Sequence, residues 1–329
     1  MSDMQLAAKD WLRHKLESEP TRKGFGRGLL EAGRRNENVV GACADLTGST
    51  MMDMFAKEFP ERFVEVGVAE QNLVTVGSGL AAMGKIPFVS SYAAFSPGRN
   101  WEQIRTTICL NDQPVKIIGS HAGLYTGKDG ATHQMLEDIA LMRVLPNMVV
   151  LAPGDSIEAE KATIALANDK RPGYMRLARE ATPVFTTAKS PFAIGQAYVL
   201  MPGSDVTIVA TGTMTYQAIM AAEVLYKDGI DAEVIHCPTI KPLDAATILT
   251  SVHKTKAVVT AEEAQVNGGL GGAIAELLGE EYPVPLSRVG VRDRFGESGE
   301  PDELLEHLGL TAKHIALHAY QIVERKVSR

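Results

Sequence analysis

The chain is poor in cysteine, carries little net charge and has no long apolar run. Cys43, Cys109 and Cys237 are the only cysteines among 329 residues and lie far apart. They make no metal-ligand spacing. Buried free thiols in a reducing, cytoplasmic compartment are therefore expected. A net charge of −7 gives no general polyanion-binding signature, so no nucleic-acid partner is expected. No stretch is long and apolar enough to span a membrane, and Met1 to Pro20 lacks the apolar core of a signal peptide. The Gly77-Ser78-Gly79 and Gly268-Gly269-Leu270-Gly271-Gly272 runs match neither a P-loop nor the dinucleotide fingerprint.

What is present is a globular composition, 45% hydrophobic and 22% charged, in a chain long enough for two domains. Residues 1–20 read as a helical arm. Over residues 21–185, apolar strand runs such as Asn38 to Ala44, Ile86 to Ser91, Val115 to Ser120 and Met148 to Ala152 alternate with amphipathic helices. Trp101 to Leu110 and Met135 to Leu145 read as helices, as does a run capped by Ser156 and ending near Asn168. Over 186–329 the alternation resumes: strand Val206 to Ala210, helix Met214 to Lys227, strand Ala232 to His236, helix Asp244 to His253, strand Ala257 to Thr260, helix Gly271 to Leu278. This predicts an α/β fold of two domains, each a mostly parallel sheet flanked by helices.

Four clusters carry chemistry. Glu70 sits at the mouth of a nearly uncharged helix, and a buried carboxylate is either tied up structurally or tuned for proton transfer. Small residues on that helix, Gly77 and Ala81, suit a close approach of backbones at an interface. The run His121 to Gln134 follows a strand end, where open α/β sheets bind ligands, and holds His121, Asp129 and His133. Phe88, Tyr92 and Phe95 read as core packing or as a platform for a flat ring. Arg22, Arg176 and Arg179 are either solvated surface groups or a grip on phosphate.

Together these segments resemble the transketolase family of thiamine diphosphate enzymes, from about Thr21 to the C-terminus. The matching pieces are Thr21-Arg22-Lys23, Asp45-Leu46-Thr47-Gly48-Ser49, Val68-Ala69-Glu70-Gln71-Asn72, the Phe88 to Phe95 aromatics, Gly119 to Gly123 and Gly127 to Gln134. Thr239 to Asp244 and Phe295 to Gly299 match as well. The resemblance implies a pyrimidine-binding domain over 21–185 and a transketolase C-terminal domain over 186–329. Glu70 would hydrogen-bond a ring nitrogen of the cofactor's aminopyrimidine. Phe88, Tyr92 and Phe95 would pack around that ring, with Asp45 close by at a subunit boundary. His121, Asp129 and His133 would meet sugar hydroxyls, with His121 and His133 in proton transfer. Arg22, Ser49 and Arg179 would hold the sugar phosphate.

One departure matters. The family marks its diphosphate- and magnesium-binding domain with Gly-Asp-Gly and a later Asn, and no Gly-Asp-Gly occurs here. The chain therefore looks like the C-terminal subunit of a split transketolase. Magnesium ligands are expected on a separate N-terminal subunit, in an α2β2 assembly that is inactive when this chain is alone. The weighed alternatives are the beta subunit of a 2-oxo-acid dehydrogenase first component, a 1-deoxyxylulose-phosphate-synthase-like reaction, and a non-catalytic scaffold.

Overall fold

The computed structural model describes residues 4–8 and 15–327. Seven strands form the first sheet, in the order Thr239–Lys241, Val149–Leu151, Gly173–Arg176, Lys116–Ser120, Ile86–Tyr92, Val39–Cys43, Phe63–Glu65. All neighbours are parallel except Thr239–Lys241 against Val149–Leu151. The central strands Val39–Cys43 and Lys116–Ser120 are buried throughout, which is why their sequences are continuous rather than alternating.

Helices cover both faces. Thr21–Arg35 and Ser156–Asn168 pack one face around Phe25, Leu29 and Leu166; Glu70–Ala82 and Asp138–Arg143 pack the other around Leu73, Val74 and Met142. The first pair of helices nearly touch backbone to backbone. A Cβ on Gly24 would stand 1.8 Å from the Ser156 carbonyl oxygen, and one on Gly28 would stand 2.7 Å from that of Glu160.

The second sheet has five strands in the order Leu286–Val291, Val258–Gln265, Val206–Ala210, Ala232–His236, Tyr198–Met201; only the last pairing is antiparallel. Met214–Lys227 and the closing helix Ala312–Val327 pack one side, while Ala245–Thr255 and Leu270–Glu281 lie with the Val252, Ile274 core. Thr239–Lys241 leaves this unit to become the edge strand of the first sheet, so the two units are stitched by backbone hydrogen bonds.

Several local expectations differ from the structure. Within residues 1–20, no described residue is helical: Leu6 bridges Thr186, and Ser18–Glu19 pairs with Thr182–Pro183; the rest of that segment lies outside the described residues. Trp101 to Leu110 begins as a helical turn but continues as a π-helix over Ile104–Cys109. The Ser156–Asn168 helix is capped by Asp155, whose side chain accepts the Glu158 N–H, not by Ser156. Gly77 faces inward: a Cβ there would meet Val89 at 2.8 Å, so its smallness serves helix-on-sheet packing. Ala81 is buried as well, and the helix face that is open carries Gln71, Asn72 and Gly79. All three cysteines are free and buried.

Candidate active site

The site lies beyond the carboxyl ends of the first sheet's strands, where their connections gather. Glu70 is the first residue of its helix, where the helix dipole favours a negative charge. It is 2% exposed, and its Oε2 accepts a 2.8 Å hydrogen bond from Arg99 Nη1. Asn100 Nδ2 donates to the Glu70 carbonyl and to Ser96 Oγ, which ties the helix start to the segment leaving the Ile86–Tyr92 strand.

Next to this carboxylate stands a group of rings. The Arg99 guanidinium lies 5.0 Å from the Phe95 ring centre. Phe95 and Tyr92 are stacked at 6.1 Å, and Tyr92 stacks on His121 at 3.8 Å. His133 meets Phe95 edge-on at 5.4 Å and Tyr92 at 6.1 Å. His121 has a positive φ of 56°, and its Nδ1 lies 2.9 Å from Ser120 Oγ. Burial, with Arg22 and Arg179 adding repulsion, pushes the His121 imidazole down to about 3. It is neutral across the physiological range, so it is a hydrogen-bonding group rather than a standing cation.

The far end holds two arginines, and Arg179 is also paired with Asp129 and Glu180. Arg22, second residue of the Thr21–Arg35 helix, donates from Nη1 to the Ser49 carbonyl and from Nε to the Arg179 carbonyl. Burial and the neighbouring Arg179 charge lower the pKa of Arg22, so an anion here would favour its charged form. Arg179 Nη1 donates to the Thr126 carbonyl and lies 3.3 Å from Asp129 Oδ2. Asp45 is exposed on the loop that carries Ser49, and Glu65 organises that loop by accepting from Asp45 N, Thr47 Oγ1 and Gly67 N.

One ring is excluded and one arginine is reassigned. Phe88 is fully buried in the core, with its ring 6.4 Å from that of Phe25, so it offers no surface to a cofactor. Strand alternation alone left open which face of the sheet it served. Arg176 is 8% exposed, with Nε against Asp138 and Nη1 on the Glu263 carbonyl, so it is buried away from the Arg22–Arg179 pair. Sequence reasoning missed Arg99, Glu65 and Glu263. Glu263, from the second unit, accepts the Tyr125 N–H and the Thr213 hydroxyl and so fixes the turn after His121. The Gly268 to Gly272 run also has an occupant: Glu262 accepts from Leu270 N and Gly271 N at the helix start, where a phosphate would otherwise be looked for.

Two family models account for both sheets. The transketolase pyrimidine binding domain matches residues 18–184 and the transketolase C-terminal domain residues 195–315. The chain belongs to the transketolase family. Its likeness is to the C-terminal subunit of a split transketolase. A 6-deoxy-6-sulfo-D-fructose transketolase subunit from Clostridium sp. (strain MSTE9) is 44% identical over 95% of this chain and 97% of its own length. An apulose-4-phosphate transketolase subunit from Phocaeicola vulgatus is 36% identical over 92% of this chain and 97% of its own. A split-gene transketolase solved as an inactive β4 tetramer is 46% identical, with a TM-score of 0.87 over 93% of this chain and 98% of that one.

Proposed function

We propose that this chain is the C-terminal subunit of a thiamine diphosphate-dependent transketolase. It moves a two-carbon ketol unit from a ketose phosphate to an aldose phosphate, and only with a partner chain that carries the diphosphate- and magnesium-binding domain. The observation that carries the reading is the continuous path from the buried Glu70, through Phe95, Tyr92 and His121, to the Arg22–Arg179 pair. A carboxylate beside stacked rings fits the aminopyrimidine end of the cofactor. The magnesium ligands are assigned to the partner, on the expectation that it carries the diphosphate-binding domain.

Thiamine diphosphate, when bound, supplies the carbanion chemistry for breaking and making the carbon–carbon bond. Glu70 would hold the pyrimidine ring nitrogen and share a proton with it. Tyr92 and Phe95 would wall the ring and keep water from the carboxyl, and Asp45 would lie near the cofactor at the subunit boundary. His121, neutral as folded, would hydrogen-bond a sugar hydroxyl; His133 and Asp129, the latter set against Arg179, would do the same. Arg22 and Arg179, with the Ser49 loop, would hold the substrate phosphate. The two sugar-named relatives support a sugar substrate over the 2-oxo acids of a dehydrogenase first component.

We place the pyrimidine-binding unit at 21–185 and the C-terminal unit at 186–329, and propose an α2β2 assembly in the cytoplasm. Among the described residues no helix is long and apolar enough to cross a membrane. The test is reconstitution with the partner subunit. Ketol transfer is expected from the mixture, none from this chain alone, and a loss of about 10²-fold or more for Glu70→Gln. Full turnover by Glu70→Gln would remove Glu70 from its role, and decarboxylation of 2-oxo acids without ketol transfer would select the dehydrogenase reading.

A further inference from the structure

We propose that Arg99 is a holding residue: it neutralises Glu70 while the pyrimidine site is open and must release the carboxyl for the cofactor to engage it. The inference rests on the reading of Glu70 as the partner of the aminopyrimidine. It starts from an asymmetry in the pair. Glu70 is 2% exposed and Arg99 is 52% exposed, yet they meet at 2.8 Å. A buried carboxylate without a partner is costly. Among the described residues Arg99 is the cation paired with Glu70, so this contact is what offsets the buried charge in the free subunit.

Arg99 itself gives up little by leaving. Among the described residues its side chain donates to Glu70, its other contact is the Phe95 face at 5.0 Å, and half of it is already in water. The guanidinium can swing outward and be fully solvated, whereas Glu70, fixed at the helix start and tied through its carbonyl to Asn100, cannot follow. The two roles of the carboxyl also conflict. Glu70 Oε2 already accepts from Arg99 Nη1, and a ring nitrogen hydrogen-bonded to the same carboxyl would meet that guanidinium. Arg99 and the pyrimidine therefore compete for Glu70.

The experiment has two arms. In the full-length chain alone, Arg99→Gln, Glu70→Gln and the double variant are unfolded with urea. Strong coupling is expected: Arg99→Gln lowers the folded-to-unfolded ratio by about tenfold or more, and Glu70→Gln in the same chain restores it, as it would for a buried charge left unpaired. Additive effects would overturn the pair as a holding contact. In the reconstituted complex, thiamine diphosphate with magnesium is titrated calorimetrically into the parent, Arg99→Gln and Arg99→Lys. Tighter binding by Arg99→Gln, with Arg99→Lys returning toward the parent, is expected. Weaker binding by Arg99→Gln would mean that Arg99 supports the loaded site and would overturn the proposal. A parent complex that takes up no thiamine diphosphate would refute the functional reading itself and the proposal with it, while coupling in the first arm would still report on the pair.

Discussion

The phenol ring of Tyr92 lies flat on the imidazole of His121, with centroids 3.8 Å apart and planes 24° from parallel. His121 is left 1% exposed and faces Arg22 and Arg179, which is why its pKa falls to about 3. The folded state therefore binds fewer protons than the unfolded one, whose histidine titrates near the ordinary value of 6.5. The stability that neutral His121 allows is present above that value and is lost as pH falls toward about 3. Replacing His121 with Asn should flatten part of the acid side of the stability curve. Urea unfolding of parent and variant at about pH 7 and about pH 5 checks this. The gap between them should shift in favour of the variant at the lower pH, and an unchanged gap would mean that His121 is protonated in the fold.

Gly24→Ala should be disruptive although it adds one methyl group. The added Cβ would stand 1.8 Å from the Ser156 carbonyl oxygen, a backbone atom held in the start of the opposing helix. The helices would have to part, at a cost of about 1–3 kcal/mol or more. Because Arg22 is two residues away on the same helix, the anion site should loosen too. Gly79→Ala, whose added Cβ meets nothing within 4 Å, is the control and should be neutral or slightly stabilising. Thermal unfolding of the two variants distinguishes a packing constraint from a general intolerance of substitution.

These two cases also mark what the sequence discloses. Glu70 stands out because a single carboxylate in a neutral helical run is conspicuous. Met214–Lys227 and Ala232–His236 are legible to the residue because their apolar spacing is complete and turn residues bound them. Arg99 is not legible, since its importance comes from a partner 29 positions away and its own neighbours look like a polar turn. The strand Val258–Gln265 reads as ending at Thr260, because two consecutive acids, Glu262 and Glu263, look like solvent-facing residues; both are buried with partners brought from other elements. Thr239–Lys241 is too short to show a period, and nothing local indicates that it crosses to the other sheet. Tertiary pairing, not local pattern, decides each of these.

Glu262 should make the chain more stable as pH is lowered from neutral. Burial raises its pKa from 4.5 to about 7, against the opposing effect of the Gly271 and Leu270 N–H groups. The folded state binds the proton more tightly than the unfolded one, so the contribution is full below 4.5 and is lost as pH rises through about 7. Glu262→Gln should remove that slope between these limits, and urea unfolding across the interval measures it. A surviving slope of the same sign is expected from Asp155 and Glu263, whose pKa values burial also raises, while His121 acts in the opposite sense over this interval.

Arg176 joins the two units at a buried point, and its removal should cost more than its one charge suggests. Its Nε lies 3.1 Å from Asp138 Oδ2 in the first unit, and its Nη1 donates to the Glu263 carbonyl in the second at 3.1 Å. Tyr174 donates to the same Asp138 oxygen at 2.7 Å, but a phenol cannot neutralise a carboxylate. Arg176→Met would leave Asp138, with no exposed surface, as an uncompensated buried charge, at about 3–5 kcal/mol. Adding Asp138→Asn should recover a good part of that loss, because what is lost is the penalty of a stranded charge more than the attraction of the pair. Glu263 also fixes the Tyr125 backbone and, through it, the turn that follows His121. The single variant should therefore raise the KM for the sugar substrate in the reconstituted complex more than it lowers kcat. Equal stability of the single and double variants would show that Asp138 is not left stranded when Arg176 is gone, and that the junction is held by its backbone hydrogen bonds instead.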